Sequence, residues 1–303
     1  MNPLDGDTFQ IKLKKAYPEI LFSLGSAIGQ PPVIMRAQDL AGDPTKPITT
    51  SIGSGPFRFN HAARISGALT VFDRNADYLP RDEKPDGLAG AHRVNFDRVE
   101  WRVIPDAATA AAALQSGEVD VWEQPSLELL PLLKRNPGIR IQHQTDLANQ
   151  TILRPNSLYP PFNDPRARLA LAYLVNQPDI MSAGFGDPEH WKECRSYFIC
   201  GGPYGTVAGT TDFKPDVTRA KALLAEAGYK GEKIVFISTK EIGWMGQMAD
   251  VVLDEMKQAG MNVDVIWSDW GATSSRSGNR SAPDKGGWNL FVTEAGGPIV
   301  HSP

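Results

Sequence analysis

Four elements between Asp216 and Trp267 constrain this chain most. A helical pattern from Asp216 to Ala227 closes at Gly228, and Lys233 to Ser238 reads as a strand. A second helical pattern from Trp244 to Ala259 closes at Gly260, and Asn262 to Trp267 again reads as a strand. A glycine directly after a helical run supplies the left-handed residue that ends a helix. Helices alternating with strands at this spacing build an α/β layer. Trp244, Met248, Val251, Val252 and Met256 recur at helical spacing, so this stripe is read as core.

The first half carries a similar mixture. Residues 8–13 alternate like a strand, Lys15 to Leu24 suggests a helix opened near Pro18, and the proline-rich stretch Gln30 to Thr50 reads as a connector. Phe57 and Phe59 share one face of a strand, and Leu69 to Phe72 forms another. In Val99 to Ile104, residues Val99, Trp101 and Val103 lie on one side. Asp106 caps an alanine-rich helix from Ala107 to Leu114, ended by Gly117. Val119 to Trp122 then reads as extended. Strand, helix, strand predicts a right-handed crossover and a partly parallel sheet. Trp101, Trp122 and Trp244 are expected in the core.

Between Asn149 and Asn163, Pro155, Pro160 and Pro161 predict an irregular interdomain crossing. Asp164-Pro165 then opens a helix carrying Leu171, Leu174 and Val175. Residues 271–287, rich in Ser, Gly and Arg, read as a loop leading to a strand from Trp288 to Thr293.

At roughly 150 residues per domain, 303 residues make about two domains. With 41% hydrophobic and 22% charged residues the chain is neither disordered nor membrane-spanning, and no apolar run approaches the roughly 18 residues that cross a bilayer. A net charge of -4 without a Lys/Arg block argues against a nucleic-acid partner. Met1 to Asp7 has neither a basic nor an apolar stretch, so the residues present carry no secretory leader.

Chemical signatures are few. No Gly-x-Ser-x-Gly elbow, phosphate loop, dinucleotide fingerprint or His-Glu-x-x-His occurs, and Gly53-Ser-Gly55 lacks a third glycine and opens a strand. The five histidines are scattered, so no metal or cofactor is expected. Cys194 and Cys200, followed by Gly201-Gly202-Pro203, admit a local disulfide, two free thiols, or a metal pair with His190. The spacing lacks the Cys-x-x-Cys of structural zinc, and pairing of the two would favour an oxidising compartment. Trp267, Trp270 and Trp288 cluster near strand ends, where α/β crevices form, and are candidate pocket residues. Glu294, just after a strand, is a candidate anchor for a cationic group.

Several segments, in order, resemble the family-5 extracellular solute-binding proteins of ABC importers, the dipeptide- and oligopeptide-binding group. They are Gly53-Ser-Gly-Pro-Phe57; Arg74-Asn-Ala-Asp-Tyr78, similar to Arg-Asn-Pro-x-Tyr; and Ile104-Pro-Asp-Ala107 through Leu114-Gln-Ser-Gly-Glu-Val-Asp120. Then come Asn156 with Pro161-Phe-Asn-Asp-Pro-Arg-Ala-Arg-Leu-Ala-Leu-Ala172, and Lys214-Pro-Asp216 through Ala220-Lys-Ala-Leu-Leu-Ala-Glu-Ala-Gly-Tyr229. The resemblance implies an α/β fold with mixed sheets, the two-lobed periplasmic binding protein type II. Its lobes close over a peptide or other small solute in an interlobe cleft and deliver it to an ABC permease in the inner membrane. It also implies a periplasmic location, no catalysis, and Asn156 among the ligand-binding candidates.

Members of that family are usually longer, so the resemblance implies a central fragment, incomplete at both ends. Residues 1–45 would be the remnant of a preceding subdomain, 46–148 part of the first lobe and 149–303 an incomplete second lobe. Surfaces left open by absent segments would favour self-association. Where dipeptide binders carry an aspartate for the peptide amino group, this chain has Glu294-Ala-Gly-Gly-Pro298. The alternatives are a secreted hydrolase with a non-local site and a non-catalytic interaction module.

Overall fold

The computed structural model describes residues 2–25, 33–43, 52–86, 89–142 and 149–296. The boundary expected at 45/46, His143 and His301 lie outside the described residues, and the boundary expected at 148/149 borders them. The chain divides between Arg140 and Ile141 into two compact units.

In the first unit, β1 (Asn2–Pro3) pairs with β2 (Phe9–Gln10), so only two residues of the strand expected over 8–13 are paired. Short helices α1 (Ile20–Gly25) and α2 (Ala37–Leu40) follow. Then β3 (Phe57–Phe59), β4 (Leu69–Arg74) and β5 (Arg98–Arg102) form an antiparallel sheet in that order. Phe59 packs edge-on to Phe72 at 5.6 Å, and Val71 is buried. Helix α3 (Ala107–Ser116) starts where Asp106 accepts the Thr109 N–H at 2.7 Å and ends at Gly117 with φ 75°. The caps read from the sequence are thus present, and Ala110, Ala111 and Ala113 form the buried face. Helix α4 (Leu130–Lys134) adds buried Leu130 and Leu133.

Two expectations fail here. Val119 to Trp122 forms no strand although β3 and β5 each leave an edge open, so strand, helix and extended segment build no crossover and the sheet is antiparallel throughout. Trp101 is 59% exposed and Val103 60%: alternation puts them on one face, but no described layer covers it.

The second unit contains β6 (Gln150–Pro155), α5 (Pro165–Leu174), α6 (Gln177–Phe185), α7 (Val217–Glu226), β7 (Ile234–Ser238), α8 (Gly243–Gln258), β8 (Val263–Trp267), α9 (Trp270–Ser277) and β9 (Leu290–Ala295). Strand order is β6-β9-β7-β8, with β7 parallel to β8 and β9, and β6 antiparallel to β9. The partly parallel sheet is therefore found here and not across residues 99–122, where the sequence pattern predicts it, with α8 as the crossover between adjacent strands β7 and β8. The stretch read as an irregular crossing supplies a strand: β6 runs to Pro155 and pairs with β9 along its whole length. Its proline falls at the end of the ladder, where the missing N–H costs least. Residues 271–287 are partly helical, because Asp269 caps α9 by accepting the Ala272 N–H at 2.8 Å.

Side chains alternate across this sheet. Ile234, Phe236, Leu290 and Val292 face a core shared with α5, α6, α7 and α8, in which Met248 and Met256 of the predicted stripe are essentially inaccessible. Trp244 and Val251 pack partly buried against it. Val235, Ile237, Phe291 and Trp288 form a smaller cluster on the other face. Cys194 and Cys200 are disulfide-bonded, with Cα atoms 5.8 Å apart, and neither remains a thiol or a metal ligand. Gln177 secures the loop by donating to the Cys194 carbonyl and accepting its N–H, both at 2.8 Å. No described helix is long and apolar enough to cross a membrane.

Candidate functional site

Because β7, β8 and β9 are parallel, their carboxyl ends emerge at one edge of the second unit's sheet, and antiparallel β6 brings its amino end there too. Crevices outside the carboxyl ends of such strands are where α/β folds place ligands. Three chain segments supply this edge: Thr239 to Ile242 leading into α8, Ser268 and Asp269 leading into α9, and the end of β9 at Glu294 and Ala295.

These segments are tied together. Glu241 accepts the main-chain N–H of Trp270 at 2.8 Å, joining the exit of β7 to the start of α9. Ser268 and Thr273 hydroxyls lie 2.7 Å apart, and the Ser268 N–H and Thr273 hydroxyl both donate to the Ser238 carbonyl at 3.2 Å. Ser238 ends β7 with a fully buried hydroxyl that has no partner among the described residues. Lys240 Nζ sits 4.6 Å over the Trp267 ring, a cation–π contact, and 3.7 Å from Asp250. Glu294 accepts from the Asn149 amide at 3.0 Å.

The electrostatics of the edge are mixed. Ile242 precedes α8 and has no side-chain acceptor, so the amino end of this 16-residue helix lacks a side-chain cap. Its partial positive charge adds to that of Lys240. Glu241 and Glu294 supply negative charge, Glu294 half-buried. An edge carrying both signs beside indole faces suits a solute that has both charges and apolar bulk.

The tryptophans expected to cluster are distributed over both faces of the sheet. Half-buried Trp267 packs towards the larger core. On the other face Trp270, 36% exposed, stacks on Phe291 at 6.2 Å, and Trp288 meets the same ring edge-on at 6.3 Å. The Arg154 guanidinium lies 5.8 Å from the Trp288 ring. Trp288 and Asn156 are both buried and lie at the opposite end of the sheet from Glu294. Trp267, Trp270 and Glu294 are thus close to the carboxyl edge, Trp288 is joined to Trp270 through the Phe291 ring they share, and Asn156 bonds the Trp288 carbonyl from the far end of the sheet. Sequence reading missed Lys240, Glu241, Phe291 and Arg154. Lys240 and Glu241 come directly after a readable strand, and the crevice rule applied there would have found them.

The model of the bacterial extracellular solute-binding proteins, family 5 middle, matches residues 2–302. The chain belongs to this family. A probable peptide ABC transporter periplasmic-binding protein, y4tO of Sinorhizobium fredii (strain NBRC 101917 / NGR234), is 40% identical over 302 residues, covering 96% of this chain and 55% of that protein. The glutathione-binding protein GsiB of Escherichia coli (strain K12) is 26% identical over 213 residues, covering 66% of this chain and 40% of GsiB. This family 5 chain thus spans about half the length of the curated relatives it matches, or less. Among solved structures, DppA of Helicobacter pylori in complex with the peptide STSA aligns with TM-score 0.64 at 22% identity, over 82% of this chain and 44% of DppA. AgaA of A. tumefaciens R10 in complex with agropinic acid aligns with TM-score 0.62 at 23% identity, over 81% and 46%. The fold is therefore that of the family 5 binding proteins, mixed α/β with several sheets.

Proposed function

We propose that this chain belongs to the solute-capturing component of an ABC importer for peptides, working in the periplasm and handing its solute to a membrane permease. The observation carrying this reading is the carboxyl edge of the second unit: Lys240 and the uncapped start of α8 beside Glu241 and Glu294, with Trp267 and Trp270 as apolar surface. A peptide has an ammonium, a carboxylate and side chains to bury, and this edge offers a counterpart to each. The y4tO and DppA relationships support the same solute class.

In this reading Trp267, Trp270, Glu294 and Lys240 face the solute, while Asn156 and Trp288 hold the sheet that positions them. Residues 46–148 belong to one lobe and 149–303 to the other, with 1–45 as the remainder of a preceding subdomain. The role is binding, not catalysis. Only a solute that binds one arrangement of the protein better than another shifts its population, so recognition by a permease depends on that differential affinity. Calorimetric titration with dipeptides to tetrapeptides tests the reading: saturable one-to-one binding is expected, and its absence from both this chain and a version extended to the relatives' full length counts against it.

A further inference from the structure

We infer that the first unit carries a separate oxyanion site, for a carboxylate or phosphate group, in a cavity built around the Arg74-to-Tyr78 motif. The cavity has a volume of about 550 Å³ and is lined by Arg74, Asn75, Tyr78, His92, Arg93 and Asn95, together with apolar residues and no carboxylate. Arg74 and Arg93 are both exposed to solvent, so the space they border is open to anions and carries positive potential, and a guanidinium fork matches the geometry of both carboxylate and phosphate. The neighbouring acids offset the pair only in part, through one long, exposed ion pair. Asp97 approaches Arg74 only to 3.8 Å and is almost wholly exposed, Asp77 pairs with Arg58, and Glu83 pairs with Arg81. Arg93 has no carboxylate partner among the described residues.

The walls are built into the fold. Asn75 Oδ1 accepts from Arg58 Nε at 2.9 Å and from the Asp77 N–H at 3.2 Å, while its Nδ2 donates to the Gly55 carbonyl at 3.0 Å. That side chain fixes the turn following Arg74. On the other side Gly90 has φ +74°, and a Cβ there would lie 2.0 Å from the Lys84 carbonyl oxygen. The Ala91 N–H donates to the Glu83 carbonyl at 3.0 Å, and Ala91 is buried. The loop therefore closes tightly just before His92 and Arg93 and sets them at the cavity wall. Nothing in the proposed solute site uses these residues.

Calorimetric titration of the whole chain with inorganic phosphate, and separately with succinate, tests the inference. At least one probe is expected to bind one-to-one, with affinity falling about tenfold in Arg93→Gln and unchanged in Arg81→Gln, which lies outside the cavity. Binding of phosphate alone assigns the site to phosphate, binding of succinate alone to carboxylates, and binding of both to the shared oxyanion chemistry. A readout on the unaltered chain is phenylglyoxal modification mapped by mass spectrometry: the bound probe slows reaction at Arg74 and Arg93 but not at Arg81. Binding by neither probe, or binding that leaves Arg74 and Arg93 unprotected and survives Arg93→Gln, overturns the inference.

Discussion

The side-chain amide of Asn156 donates to the main-chain carbonyl of Trp288 at 2.9 Å, in the interior of the second unit. Asn156 Oδ1 also accepts the Leu158 N–H at 3.1 Å, and the Asn156 N–H donates to the Asn289 carbonyl at 2.8 Å. Next to this pair, Asn289 accepts the Val235 N–H and donates to the Pro160 carbonyl, both at 2.9 Å. Two buried asparagines thus fasten the end of β6 and the start of β9 to β7.

Replacing Asn156 with Ala leaves the Trp288 carbonyl and the Leu158 N–H without their side-chain partner. A loss of about 1–3 kcal/mol in unfolding free energy is expected. Denaturant melts should show it, while solute affinity of the folded protein changes little. A large loss of affinity at unchanged stability would instead make Asn156 a ligand contact.

The disulfide closes a short loop. Loop entropy assigns its removal about 2 kcal/mol, so Cys194→Ser with Cys200→Ser should lower the denaturation midpoint accordingly. Thiol counting on denatured, non-reduced protein should find none. Gln177, which holds Cys194 by two hydrogen bonds, limits how far the loop reorganises in that variant.

Glu255 sets a pH dependence. Burial raises its carboxyl from the ordinary 4.5 to about 7, and neighbouring Asp179 and Asp254 push in the same direction, while the Asn176 N–H bonded to Oε1 acts against them. A folded-state value above the unfolded one means the contribution is fully present below about pH 4.5 and is lost as pH rises through about 7. Unfolding free energy should therefore fall across that window, by an amount on the order of 1–2 kcal/mol after solvent screening of this partly exposed side chain, and thermal midpoints should fall with it. Glu255→Gln should flatten the profile. Asp164, held at about 2 by Arg166, acts in the opposite sense and only at lower pH.

Much of the fold was legible because local chemistry and tertiary packing agree. Asp106 with Gly117, Asp164-Pro165, and the Met248 to Met256 stripe each specify a cap or a buried face using neighbours in sequence. What was missed depends on partners distant in the chain. Alternation cannot say whether a layer covers Trp101, and prolines between 155 and 161 hide a strand whose partner, β9, lies some 140 residues on. The same holds for the site. Trp267 and Trp270 are three residues apart yet serve opposite faces, because β8 ends between them and α9 turns back over the sheet.

Glu241 joins the two segments that frame the carboxyl edge. Glu241→Ala releases the Trp270 N–H and should loosen the start of α9, weakening peptide binding several-fold with little change in global stability, as α9 is exposed along most of its length. Hydrogen exchange at residues 269–273 would report the loosening directly.

The central claim is that the carboxyl edge of the second unit holds the solute. Photo-crosslinking of a bound tetrapeptide carrying a benzophenone, followed by peptide mapping, tests it most directly. Crosslinks are expected within 239–246, 267–271 and 293–296, lost when unlabelled peptide competes and reduced in Lys240→Ala. Competed crosslinks that fall elsewhere and persist in Lys240→Ala would contradict it.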